Sequence, residues 1–241
     1  AHLIADDSRF GQYASGKKLS TDQAPILINN DIESIANQLQ PIPGKPLHFT
    51  LTTRMENPIH NELQPFFEIH DSRYMMYWLA LSEDNYKGHL AQLAKAEQER
   101  QALEASTIDK VQPGEQQPET DHRMETDQSF TGNTNDCFWR DANDGHYFSY
   151  LMQTKGQENI ALRLKYWGVG EWKSHEFDIF VDDVLVKSVN NTGKYRISEF
   201  KYEVYDIPAE LLKGKTQVRV KFVAKPGKQI GEIYEVRLIN K

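Results

Sequence analysis

One cysteine, Cys137, stands in 241 residues. A lone thiol makes an intrachain disulfide impossible and excludes any site assembled from several thiolates. Positive charge is also short: 28 Lys and Arg face 35 Asp and Glu, for a net charge of −7. Nucleic acid is held by a basic footprint, so this balance excludes it as a partner. No apolar run approaches the ~20 residues of a membrane-spanning helix. The opening, Ala1-His2-Leu3-Ile4-Ala5-Asp6-Asp7, lacks the basic and apolar regions of a signal peptide. It reads as interior sequence, so the chain is expected to be a piece of something longer. What is present is the composition of a folded protein: 39% hydrophobic, 26% charged and 11% aromatic. That length suits one large or two modest domains.

Residues 1–82 alternate turn chemistry with short apolar runs. Ala24-Pro25-Ile26-Leu27-Ile28 is strand-like, and Pro46 to Thr52 alternates with period two. Between them Ile32, Ile35 and Leu39 share a helical face that ends at Pro41-Ile42-Pro43-Gly44. Phe66 to His70 and Arg73 to Leu81 read as two strands with a turn at Asp71-Ser72. Residues 83–106 differ. Ser82 is a good N-cap, Glu83 and Asp84 suit the first turn, and Leu90 to Ala105 is rich in helix formers. The apolar stripe of Tyr86, Leu90, Leu93 and Leu103 is narrow, which predicts a largely solvated helix. Residues 107–241 are strand and turn nearly throughout. The strands run from 146 to 152, 160 to 167, 176 to 181, 184 to 186, 200 to 204, 216 to 223 and 233 to 239, mostly alternating apolar and polar. The expected fold class is therefore mainly β: two β-sandwich or jelly-roll-like domains, at 1–82 and 107–241, joined by one long helix at 83–106. The first is expected to be a partial sandwich, with an unpaired edge among its strands and an apolar patch near Tyr74 to Trp78.

Two clusters carry chemistry. Glu115, Glu119 and Asp121, with His122 beside them, could hold Ca²⁺, which takes six to eight oxygens. The same carboxylates could serve as a glycosidase acid/base pair, or simply cap the backbone of an entry loop. His122 fits no zinc spacing. Trp139, Trp167, Trp172 and Tyr166, with Arg140, could form a platform for sugar faces, or fill the core. Trp172 lies in the loop Gly168 to Ser174, where aromatics more often serve binding. Arg140 beside Asp141 reads as an ion pair, and Asn190-Asn191-Thr192 is a glycosylation sequon where the host glycosylates.

Several stretches carry a resemblance. Glu62-Leu63-Gln64-Pro65-Phe66-Phe67-Glu68-Ile69-His70-Asp71-Ser72-Arg73-Tyr74-Met75-Met76-Tyr77-Trp78 resembles the region before the last domain of glycoside hydrolase family 127, the β-L-arabinofuranosidase-type enzymes. Val111 to His122 is similar to the entry of that family's last domain. Phe138 to Ala142, Tyr166-Trp167-Gly168, Phe177 to Ile179 and the opening Ala5 to Lys18 extend the likeness over essentially the whole chain. The resemblance implies a non-catalytic accessory region. Its partner would be an upstream (α/α)6 barrel that carries catalysis on zinc, three cysteines and a glutamate. With Cys137 alone, no catalytic residue maps here and no cofactor is required, Ca²⁺ being the one structural ion considered. The resemblance further implies a periplasmic or extracellular setting and glycans as a second partner. Residues 107–241 also resemble, more distantly, the galactose-binding-like jelly rolls of carbohydrate-binding modules. A carbohydrate-binding module that targets the enzyme to glycans is the second expectation, and a self-sufficient glycosidase the third.

Overall fold

A computed structural model describes residues 3–6, 26–52, 54–56, 62–68, 73–75, 79–134, 136–168 and 174–241. The chain is mainly β and divides into two compact units, 1–98 and 99–241.

Among the described residues the first unit holds three small sheets. β1 (Leu3–Asp6) pairs antiparallel with β7 (Arg73–Met75). β2 (Ile26–Ile28) lies between β5 (Arg54–Glu56), antiparallel, and β8 (Leu79–Leu81), parallel. β4 (Phe49–Leu51) lies between β3 (Leu39–Pro41) and β6 (Glu62–Leu63). Leu27, Leu51 and Leu63 form the buried cluster, with Leu39, Phe49 and Ala80 packed on it. The helical face expected after Asn30 is a 3-10 helix, Ile32–Gln38, opened by Asp31, whose side chain accepts the Ser34 N–H. At Phe66–Glu68 the expected strand is instead a 3-10 turn, closed by the Glu68 N–H on the Pro65 carbonyl at 3.0 Å. Proline fixes φ near a turn value and has no N–H for a ladder, so Pro65 starts a turn. Residues 69–72 and 76–78 lie outside the described residues. So do the Asp71-Ser72 turn and the centre of the expected apolar patch. The two described ends of the Arg73–Leu81 run, β7 and β8, belong to different sheets. Among the described residues β8 is paired on one side only, by β2.

Helix α1 (Glu83–Ser106) begins where Ser82 Oγ accepts the Asn85 N–H at 3.3 Å, as the cap predicted. Tyr86 is its one buried residue; Leu90 and Leu93 are exposed. The boundary between the units falls within this helix.

The second unit is a β-sandwich. Its first sheet runs β10 (Glu125–Thr126), β13 (Tyr147–Gln153), β18 (Gln217–Ala224), β15 (Glu176–Val181), β16 (Val184–Asn190). The second runs β11 (Phe130–Thr134), β12 (Cys137–Asp141), β19 (Ile233–Asn240), β14 (Ile160–Trp167), β17 (Phe200–Asp206), with β9 (Thr107–Val111) also on β19. Every pairing is antiparallel. β15 and β16 turn through Asp182-Asp183, both at positive φ, the mirror-image turn that matches strand twist. Inward residues of both sheets make one core. Phe148, Tyr150, Met152, Phe177, Ile179, Val220 and Phe222 meet Leu162, Leu164, Val236 and Leu238. Each fully buried side chain of this size contributes roughly 1.5–3 kcal/mol, so the core is ample for a domain of this length. Two short helices complete the unit, α2 (Gln116–Asp121) and α3 (Ala209–Leu212).

Candidate functional site

Period-two alternation carries the inward register of each strand past the core to the loop end of the sandwich. On β15, Val181, Ile179 and Phe177 are fully buried, and the next inward position is His175. Leu162 and Leu164 on β14 are followed by Tyr166, and Val189 on β16 by Asn191. Where the apolar core stops, the inward positions become an imidazole, an amide and a phenol.

These groups line a cleft at the mouth. Its wall is completed by Trp167, Tyr195 and the 230–232 segment before β19. The backbone brings them together. Asn191 donates its N–H to the His175 carbonyl at 2.8 Å, and Gln229 bridges to His175 from the opposite side. Gly231 stands at φ +86°, where a Cβ would come within 3.1 Å of the His175 ring, so glycine lets the β18–β19 connection pass. Gly168 serves the other wall: a Cβ there would fall 2.4 Å from the Ile197 carbonyl oxygen. Tyr166 stacks on Tyr195 with centroids 6.4 Å apart, and its hydroxyl lies 3.3 Å from that of Tyr205. Tyr195 donates its hydroxyl to Glu203. Burial, then Tyr205, pushes the Tyr166 phenol well above its ordinary pKa; burial and Glu203 do the same at Tyr195. Both phenols are therefore neutral at any ordinary pH. Trp167 packs edge-on against Phe200 at 4.9 Å. Asn191 is 5% exposed, and its Oδ1 is buried without a hydrogen-bond partner; Gln229 Oε1 is in the same condition.

The other predicted cluster is assembled differently. Residues 116–121 form helix α2 where a loop was expected, with Pro118 in the first turn, where a missing N–H costs nothing. The helix delivers Glu119 into the structure. Arg140 grips that carboxylate at two points, Nε to Oε1 and Nη2 to Oε2, each 2.6 Å. Tyr150 Oη and the Gly114 N–H also donate to Oε1, at 2.8 and 2.9 Å. Burial pushes the Glu119 pKa up, but Arg140, Gly114 and Tyr150 together hold it below the ordinary value. Arg140 thus pairs with Glu119 and not, as its neighbour in sequence suggested, with Asp141. Successive strand residues face opposite ways, and Asp141 accepts the Gly231 N–H at 2.9 Å. Glu115 precedes the helix without a side-chain cap bond, and Asp121 Oδ1 accepts from Gln117 at 2.7 Å. His122 Nε2 lies 3.2 Å from Asp109 Oδ1, and Asp109 Oδ2 accepts the Gln153 N–H. Among the described residues no group of three or more His, Cys, Asp or Glu side chains is placed to hold a metal ion.

The sugar platform read from the sequence is therefore split. Tyr166 and Trp167 reach the mouth. Trp139 lies on β12 instead, its ring over Gly132 and edge-on to Phe130 at 6.4 Å, with its indole N–H on Thr134 Oγ1. Arg140 is occupied by Glu119. Trp172 lies outside the described residues; the flanks of its loop, Gly168 and Ser174, are at the mouth end of β14 and β15. Sequence reasoning missed His175, Asn191, Tyr195 and Gly231, which come from three separate connections. The sequon drew attention to Asn190 and Asn191 only as a modification signal; Asn190 Oδ1 accepts the Thr192 N–H.

A family model matches residues 102–239, more than half of the chain. The chain belongs to the family of unknown function DUF6805. Residues 1–80 match a second model, DUF4986, a domain of unknown function. No curated protein matches. Among solved structures the DUF6805 chain is similar to a family 35 carbohydrate binding module from Clostridium thermocellum, at 11% identity and TM-score 0.38 over 49% of this chain and 92% of that one. It is also similar to carbohydrate-binding module CBM36 in complex with calcium and xylotriose, at 12% identity and TM-score 0.37 over 54% and 99%. A third is the family GH115 4-O-methyl-alpha-glucuronidase BtGH115A, with specificity for decorated arabinogalactans, at 8% identity and TM-score 0.34 over 56% and 18%. These ligands and specificities belong to those proteins.

Proposed function

We propose that this chain is a non-catalytic accessory region of a carbohydrate-active enzyme. The observation that carries the reading is the state of the Glu119 and Asp109 carboxylates. A glycosidase needs two carboxyls facing a substrate, one of them free to hold and release a proton. Glu119 faces Arg140 in a closed, two-point clamp with two further donors. Asp109 is engaged by His122 and Gln153. Both acids hold the fold. The outer face of the second sheet supports a packing role, since Tyr202 and Val204 on β17 and Phe130 on β11 are exposed apolar groups. The partner for that face, on the resemblance to family 127, is an (α/α)6 catalytic barrel. The purified chain is expected to turn over no aryl glycoside, aryl β-L-arabinofuranosides included. Turnover that follows the chain through purification and is lost in Glu119→Gln with the fold intact would overturn the reading.

A further inference from the structure

The mouth of the sandwich has the makings of a ligand site, which the accessory role does not use. Asn191 is nine-tenths buried, lines the cleft, and leaves its amide oxygen without a donor. An unpaired buried acceptor is costly, because it has lost water and gained nothing. Gln229, on the strand segment flanking His175 from the other side, leaves a second amide oxygen in the same state. Of the two, Asn191 lines the cleft, and an unpaired amide acceptor there calls for a ligand that brings hydroxyl or water donors. Beside it Trp167 and Tyr195 supply an aromatic wall, and Glu232 adds a carboxylate. Aromatic surface with a few convergent polar groups is the general make-up of small-ligand sites. The room enclosed at the mouth is about 10 Å³, space for about one water. A ring therefore lies across the opening, with a water beneath it. An amide oxygen accepts from a hydroxyl and repels a carboxylate, so this acceptor disfavours an anionic sugar.

We propose that this mouth binds a single neutral sugar ring, such as the end of a glycan. The ring lies against Trp167 and Tyr195, and its hydroxyls reach Asn191 Oδ1 through one water. A shallow site with so few polar groups gives an affinity of about 1–10 mM. The proposal stands apart from the accessory role, which turnover assays test. Its own test is a titration of the ¹⁵N-labelled 241-residue chain with methyl glycosides of neutral pentoses and hexoses. Glucuronate and calcium chloride are added in separate arms. At least one neutral glycoside is expected to give saturable shifts at the Trp167 indole, the Gly231 amide and the Asn191 side chain. Asn191→Ala is expected to weaken that binding at least about fivefold without lowering the melting midpoint, since the oxygen removed has no partner to lose. Should Asn191→Ala fold poorly, Trp167→Leu carries the same expectation of weakened binding. No saturable shift with any neutral glycoside would overturn the proposal. So would shifts confined to other surfaces, tighter binding of glucuronate, or a response at the mouth to calcium alone.

Discussion

Glu119 and Arg140 show how a residue that looks chemical in sequence is recruited for structure. Both side chains are about nine-tenths buried. Two desolvated charges hold each other only with good geometry and further hydrogen bonds, which Tyr150, Gly114 and Ser129 supply. Glu119→Gln leaves the guanidinium without its counter-charge and is expected to cost about 3–5 kcal/mol in urea unfolding. Glu119→Gln with Arg140→Met should cost less than the two single changes added together, since neither charge is then left alone. Additive losses would mean the pair is not coupled. His122 adds a pH dependence. Asp109, opposed by burial and aided by the Pro118 carbonyl, raises the His122 pKa above 6.5. Asp109 itself is pushed up by burial but held below 3.8 overall by His122 and the Gln153 N–H. The folded state therefore prefers charged His122. Its contribution is full below about 6.5 and is lost as pH rises through the raised folded value. The share from Asp109 is present above 3.8 and is lost as pH falls through its lowered folded value. The melting advantage of wild type over His122→Gln should thus shrink as pH rises above about 6.5. An advantage that grows over that range would reverse the assignment.

Elements differed in how openly they announced themselves. The bounds of α1 were legible because a cap, an acidic first turn and an unbroken run of helix formers agree. Gly88 is the exception within it, exposed and with nothing near the place a Cβ would occupy. Gly88→Ala should therefore stabilise the helix by up to about 1 kcal/mol, read as a gain in helical ellipticity and midpoint; a loss would mean the position is packed. The core strands β14, β15, β18 and β19 were legible from alternation, since one face of each is buried. β11 was not: Gly132, Asn133 and Thr134 look like loop, yet Gly132 is there because the Trp139 ring lies across it. Helix α2 was hidden by its proline, and the turn at Phe66–Glu68 by its phenylalanines. The mouth was legible only in part. Tyr166 and Trp167 stood out as aromatics, whereas Asn191, His175 and Gly231 are ordinary residues until pairing of β15 with β16 and β18 sets them side by side. Local pattern reports which face a residue takes; it does not report which strand ends meet.

At the level of the molecule, the two units are unequal in what they bury. The described apolar cluster of the first rests on Leu27, Leu51 and Leu63, whereas that of the second draws on both faces of a sandwich. Two such units are expected to unfold separately, the second at the higher temperature, and residues 99–241 to fold alone. Where the cut is made matters. Arg237 on β19 is buried and donates to Glu104 Oε1 at 2.8 Å and to Thr107 Oγ1 at 3.0 Å, with Glu235 also beside it. Glu104 belongs to the last turn of α1, outside the strands, and also faces Lys110. A chain starting at 107 keeps every strand of the sandwich but leaves Arg237 with one carboxylate fewer, and β9 without the turn that leads into it. Residues 99–241 and 107–241 should both melt cooperatively, with the shorter one lower. Glu104→Gln in the longer one should reproduce much of the difference, because the lost contact is that carboxylate. Equal midpoints for the two would show that α1 contributes nothing to the sandwich. A non-cooperative melt of 99–241 would mean that the second unit depends on the first, and would end the two-unit reading.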